Sequence, residues 1–207
     1  MHWAALIDRA AALAIPGERR ILGIAGAPGA GKSTLARAVV DALGDRAALV
    51  GMDGFHLAQA ELDRLGAADR KGAPDTFDAD GYVHLLRRLA ANTDPVVYAP
   101  EFRREIEEPV AGAVPIGCDV PLVITEGNYL LLWPAVRPLL AEAWFLDPGQ
   151  DLRRDRLVAR HIRYGRTPEQ ARERADGSDE RNARLVAATA PAADLVIHAV
   201  DPPPAAS

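Results

Sequence analysis

Arg20–Ala25, RILGIA, runs directly into Gly26–Thr34, GAPGAGKST, and the reading of this stretch decides the fold. The first piece is a short apolar run of the kind that a strand buried on both faces shows. Ser33–Leu43, STLARAVVDAL, follows with good helix formers, apolar residues at helical spacing and a stop at Gly44. A glycine-rich turn of spacing GxxxxGK[ST] between strand and helix is a phosphate-binding loop. Glycines 26, 29 and 31 allow positive φ, so main-chain N–H groups face an anion at the positive end of the helix. The expected nucleotide contacts are therefore Gly26, Ala27, Pro28, Gly29, Ala30, Gly31, Lys32, Ser33 and Thr34. Lys32 supplies a mobile charge to the outer phosphates, and the Ser33 hydroxyl is the expected Mg2+ ligand. The alternative is a glycine turn that binds nothing. Lysine usage argues against it: of 24 basic residues only Lys32 and Lys71 are lysine, and one falls on the required position.

Outward from this loop the pattern alternates. Ala47–Met52, Pro121–Thr125, Ala143–Leu146 and Ala193–His198 read as further strands, and 80–91, 151–164 and 168–188 as helices. Alternation of this kind predicts an α/β fold of three layers, a parallel sheet with helices on both faces. Residues 2–15 read as an amphipathic helix. Val96–Ile116, rich in Pro, Glu and Arg, receives no firm structure beyond a small hairpin or edge, and the tail at 201–207 is expected to be disordered. At 207 residues with no dividing linker, the chain reads as a single domain.

The net charge of −5 argues against sequence-independent nucleic-acid binding, which depends on neutralising many phosphates at once. One cysteine, Cys118, excludes a disulfide framework. The longest apolar stretch, 129–146, is interrupted by Arg137, Glu142 and two prolines, so no membrane span is expected. These features predict a soluble cytoplasmic protein. Whether it is a monomer or a homodimer stays open.

Ligands in open α/β sheets sit beyond the carboxyl ends of the strands, so acids placed there matter most. Asp53 follows the second strand in GMDGFHL, and Glu126 follows the third in VITEGNYLL. Phosphoryl transfer to an alcohol needs a carboxylate that orients the hydroxyl and takes its proton, which suits Asp53. Glu126 is placed to hold Mg2+ or to orient the acceptor. The bland alternatives are a helix cap at Asp53 and a solvated turn at Glu126. Asp147 reads as a cap for the following helix. In RRDRLVARHIRYGR, Arg153, Arg156, Arg160 and Arg163 share one helical face, with Arg166 beyond. Such a face can close as a lid, about 153–170, over a nucleotide, Arg156 and Arg160 serving the transferred phosphoryl and Arg163 and Arg166 the nucleotide. The alternative is a solvated face paired with acids such as Asp155. Candidates for reading the acceptor are Asp53, His56, Asp75, Tyr98, Arg103, Arg104, Glu126 and Asn128. Trp133 and Trp144 read as core.

Taken together the motifs resemble the P-loop kinases that include uridine kinase, phosphoribulokinase and type I pantothenate kinase. GAPGAGKST resembles the group's phosphate loop, and MDGFH the segment whose aspartate is the group's usual base, here Asp53. RKGAPDTFD (70–78) resembles a pantothenate kinase segment and, through PDTFD, the PDAFD of uridine kinases. ITEGN (124–128) resembles the group's strand end, and 145–166 resembles the uridine kinase lid. YAPEFRREIEEPV and the RH of the lid are shared with short bacterial nucleoside/nucleotide kinase-like proteins described as fructose-transport-system kinases. Gly72 stands where uridine kinases place a ribose-contacting Asp, and His161 where they have an Asp in the lid. The resemblance implies ATP- and Mg2+-dependent transfer of the γ-phosphoryl group to a hydroxyl of a sugar, nucleoside-like or pantothenate-like acceptor. The rivals are a nucleotide-dependent switch or NTPase, and a degenerate nucleotide-binding regulator. No Asn-Lys-x-Asp guanine-reading segment is present.

Overall fold

A computed structural model of the chain describes residues 2–198, and the tail at 201–207 lies outside them. In chain order the first elements are α1 (Trp3–Ala11), β1 (Arg20–Ala25), α2 (Lys32–Leu43), β2 (Ala47–Gly51), α3 (Gln59–Arg64) and α4 (Ala79–Ala91). They are followed by β3 (Val96–Arg103), β4 (Glu108–Gly117), β5 (Leu122–Gly127), β6 (Glu142–Leu146), α5 (Gln150–Arg163), α6 (Pro168–Arg174), α7 (Glu180–Ala187) and β7 (Leu195–Ile197).

The main sheet has the order β2-β5-β1-β6-β7, every neighbour parallel. Period-two alternation gives each strand two apolar faces. Leu22, Ile24, Leu122, Ile124 and Trp144 pack against Leu6 and Ala10 of α1 and Leu35 and Val39 of α2. Ile21, Val123, Ala143 and Phe145 pack on the opposite side with Tyr82 and Leu86 of α4 and Val186 of α7. The chain is thus the expected three-layer α/β structure, with Trp144 in the core and half-buried Trp133 packed against Phe77, Tyr82 and Tyr129. No helix among the described residues is long and apolar enough to cross a membrane.

Several expected boundaries move for local reasons. α1 stops at Ala11, where the bonding changes to tighter turns from Leu13 to Ala10 and from Ala14 to Ala11; Pro16 then keeps Ile15 out of helical geometry, and the chain turns through Gly17. β5 continues past Thr125, since Glu126 and Gly127 still pair with Ile24 and Ala25 of β1. β7 is shortened to three residues, the side chain of Asp194 accepting from the N–H of Ala143 at 2.7 Å and from Arg137. The helical run expected over 168–188 is interrupted by a π-turn at Ala175–Asp179. Asp147 does not cap α5: Gly149 holds the cap position, and Asp147 accepts from the N–H of Gly149 at 3.3 Å.

The stretch left unassigned by its sequence is a two-stranded antiparallel ribbon, β3 with β4, separate from the main sheet. Its register shifts between Ala99 and Glu101, at Pro100, which cannot donate to the ladder. The ribbon leans on the turn after β2: a Cβ at Gly54 would lie 2.5 Å from the Pro100 carbonyl oxygen.

A buried polar chain joins the layers at this point. Thr125 donates to the Val50 carbonyl at 2.7 Å, and its oxygen lies 2.6 Å from the Tyr82 hydroxyl. Thr125→Val orphans that buried phenol, so urea unfolding should show a loss of about 1–3 kcal/mol, against about 1 kcal/mol or less for Tyr82→Phe, which removes donor and need together.

Candidate active site

The loop after β1, the turn after β2 and the end of β5 lie side by side, because these are three adjacent strands in the order β2-β5-β1. A cavity of about 520 Å³ opens beyond their carboxyl ends, lined by Lys32, Ser33, Asp53, Glu126 and Asn128 among others.

The phosphate loop owes its shape to positive φ and to the arginine helix behind it. Gly29 has φ +82° and Gly31, the N-cap of α2, has φ +99°. A Cβ at Gly29 would lie 2.6 Å from the Arg153 carbonyl oxygen and 2.8 Å from Leu157, so only glycine fits under α5. Arg153 and Arg156 donate to the carbonyls of Pro28 (3.4 Å) and Ala30 (3.1 Å). With its carbonyls engaged from that side, the loop spends the Ala30 N–H on Ala27. Among the described residues no group bonds the N–H of Gly29 or Gly31. The opening N–H groups of α2 lack helical partners as in any helix, which gives the loop the positive end of a twelve-residue helix.

Lys32 is buried, its ammonium donating to Asn128 Oδ1 at 2.7 Å and to the Ala27 carbonyl at 3.1 Å. Burial pushes it down to about 8, against the attraction of Glu126 and Asp53. The Ser33 hydroxyl donates to Glu126 Oε1 at 3.0 Å. Burial raises the Glu126 carboxyl above its ordinary range, the Asp53 charge adding to the effect and Lys32 opposing it. A buried carboxyl raised by desolvation and by a second acid's charge is one that a cation would return to its charged form. Ser33 beside a carboxylate fits Mg2+, which takes one or two protein oxygens and completes its shell with phosphate and water. Among the described residues no group of three or more His, Cys, Asp or Glu side chains is placed to hold a metal ion.

Asp53 stands in the short 3-10 turn Met52–Phe55, its Oδ2 3.4 Å from a guanidinium nitrogen of Arg104. The His56 Nδ1 lies 2.8 Å from the Asp53 carbonyl, which can only accept, so the proton sits on Nδ1 and Nε2 carries the lone pair. His56 stacks between Phe77 (4.0 Å) and Phe102 (4.7 Å), and burial lowers its pKa, which keeps the ring neutral near pH 7. Opposite these, Arg160, His161 and Arg166 line the cavity from α5 and the turn after it. His161 pairs with Asp179 of the π-turn at 2.7 Å. Three further bonds join this side to the segment before α4: Arg174 donates to the Asp69 carbonyl at 3.2 Å and the Lys71 carbonyl at 3.0 Å, and Asn182 to that of Gly72 at 3.3 Å.

The cavity thus collects Pro28, Lys32, Ser33, Asp53, His56, Arg104, Glu126, Asn128, Arg160 and Arg166 from the sequence-derived set. Asn128, expected to read the acceptor, spends its Oδ1 on Lys32. Others lie elsewhere. Thr34 is exposed outside the lining. Arg156 donates to the Ala30 carbonyl and is not among the cavity's lining, and Arg163, at the end of α5, is exposed outside it, so of the four arginines only Arg160 lines the cavity. Asp75 is exposed and ion-paired with Arg70. Tyr98 and Arg103 sit on the exposed face of β3, Arg103 near Glu101 at 3.8 Å. Sequence reasoning missed Lys71, Phe102, Arg174, Asp179 and Asn182. The one available signal was that Lys71 is the chain's second lysine.

No protein-family model matches the chain. A Schizosaccharomyces pombe protein named "Putative uridine kinase" is 34% identical over 207 residues, covering 93% of this chain and 88% of that protein. The crystal structure of a "putative fructose transport system kinase" from Silicibacter sp. TM1040 superposes with a TM-score of 0.86 at 34% identity, over 95% of this chain and 99% of that one. A pantothenate kinase from Lacticaseibacillus casei is 32% identical over 142 residues, 64% of this chain and 46% of its own length.

The buried lysine has a measurable consequence. With Lys32 near 8 in the free protein, most of it is neutral at pH 8.5, and phosphate oxygens placed beside it restore the ammonium. Titration of ADP at pH 8.5 in buffers of different ionisation enthalpy should therefore show proton uptake that fades toward pH 6.5.

Proposed function

For a chain that belongs to the uridine kinase, phosphoribulokinase and pantothenate kinase group of P-loop kinases, we propose transfer of the γ-phosphoryl group of ATP to a hydroxyl of a small metabolite, with Asp53 taking the acceptor's proton. The observation that carries this reading is the meeting of Lys32, Ser33, Glu126 and Asp53 in one cavity, at the ends of three adjacent parallel strands.

Each residue's part follows from charge and reach. The free N–H groups of the loop and the Lys32 ammonium bind the β and γ phosphates, which turns the cost of burying that lysine into affinity. Ser33 and Glu126 would hold Mg2+, which when bound neutralises charge on the outer phosphates. Asp53 lines the same cavity as the loop, and its part is to orient the acceptor hydroxyl and receive its proton as the new P–O bond forms. The His56 Nε2 lone pair accepts a hydrogen bond from a second acceptor group. Arg160 and Arg166 cover the transferred phosphoryl from the lid. Arg153 and Arg156 act one step back, by holding the loop in its anion-ready shape.

Because charge in the transition state rests mostly on the transferred group, the base chiefly positions the nucleophile. Asp53→Asn should lower acceptor-dependent ADP release by about 10²- to 10⁴-fold while nucleotide affinity persists. Transfer at the wild-type rate in this variant overturns the base assignment. A wild-type protein that turns over ATP with no acceptor dependence and no phosphorylated product is an NTPase, and the kinase reading fails.

A further inference from the structure

We propose that the acceptor carries an anionic group, a carboxylate or a phosphate, beside the hydroxyl that is phosphorylated, and that Lys71 and Arg104 bind it at the Phe102 ring. This deepens the kinase reading and rests on it.

Two cations from separate segments converge on one ring. Lys71 Nζ lies 5.6 Å from the Phe102 centroid and Arg104 Cζ lies 5.9 Å from it. Holding like charges together costs free energy unless something compensates, and the protein compensates little. The partners of Lys71 are neutral oxygens, Gln59 Oε1 at 3.2 Å and the Glu107 carbonyl at 2.7 Å. Glu107 also reaches the cavity, but among the described residues no ion pair joins its carboxylate to either cation. Arg104 has one acidic contact, Asp53 at 3.4 Å, well beyond the usual length of a charge-assisted bond.

The imbalance is local. The chain carries a net charge of −5, yet six lysines and arginines line the cavity against four aspartates and glutamates. Lys32 serves the phosphate loop, whereas Lys71 belongs to a different wall, with Gln59 and the ribbon turn. The placement relative to the base is also defined. Phe102 stacks on His56, and His56 is bonded to the Asp53 main chain, so an anion at Lys71 and Arg104 sits beside the hydroxyl that Asp53 receives. An anion drawing Arg104 toward itself also releases the Asp53 carboxylate for that hydroxyl.

A purely structural Lys71, pinning the ribbon turn to the segment before α4, is the competing explanation. Lys71→Gln separates the two, because glutamine still donates to the Glu107 carbonyl but brings no charge. The test is ADP release, with the phosphorylated product identified, on matched acceptors: ribose, ribonate and ribose 5-phosphate; glucose, gluconate and glucose 6-phosphate; pantothenol and pantothenate. Within at least one set the anionic member should exceed its neutral counterpart in kcat/KM by about 10- to 100-fold. Whether the carboxylate or the phosphate leads identifies the anion. Lys71→Gln should erase most of that preference through KM, Arg104→Gln should weaken it, and Lys71→Arg should retain it. The preference is a ratio measured within one protein, so a partly unfolded variant leaves it unchanged. Neutral members turned over as well as anionic ones, or a preference that survives both glutamine substitutions, overturns the proposal and leaves the kinase standing. Nucleotide bound with no phosphorylated product from any set overturns the kinase reading as well.

Discussion

The site is organised by the conflict between main-chain carbonyls and an anion in the loop at 26–34. A loop that wraps phosphate must turn its N–H groups inward and find other partners for its carbonyls. Here the arginine helix provides them: Arg153 and Arg156 take the carbonyls of Pro28 and Ala30, and the Arg153 main chain rests against Gly29. Arg153 is itself buried and ion-paired with Glu180 of α7, so the brace is tied to the opposite layer of the fold. The helix that the sequence marks as a cover over the nucleotide therefore has a second task beneath it.

The electrostatics follow from the same geometry. Adjacent strand ends place Lys32, Glu126 and Asp53 within mutual influence and mostly out of water. Burial lowers the lysine and raises the glutamate, two signs of a site whose charges are completed by ligands. The wall with Lys71 and Arg104 at Phe102 repeats the theme of charge without a matching partner. An acidic chain thus lines this cavity with more lysines and arginines than acids.

Much of this is legible in the residues. RILGIA followed by GAPGAGKST defines strand, loop and helix through apolar run, glycine spacing and helical periodicity, and Asp53 and Glu126 are found because strand ends are where ligands bind. What could not be read are contacts set by register and by packing between distant segments. The shift at Pro100 decides which residues of β3 face the site, Phe102 and not Tyr98 or Arg103, and Arg104 follows in the turn beyond the strand, so spacing alone could not choose it. Helical spacing puts Arg156 and Arg160 on one face but cannot say that a loop carbonyl lies under the first and a cavity under the second. The pairing of His161 with Asp179 depends on a π-turn that redirects the chain after α6, and no periodicity announces it.

The central claim is that the main chain around Gly29 wraps a polyphosphate opposite Asp53. Calorimetric titration of Mg-ADP into Gly29→Ala tests it most directly, because a methyl group at φ +82° must displace either the loop or α5. The account predicts that wild-type protein binds and that the variant, still folded by circular dichroism, loses about 100-fold or more in affinity. Equal affinity in the two proteins would contradict it.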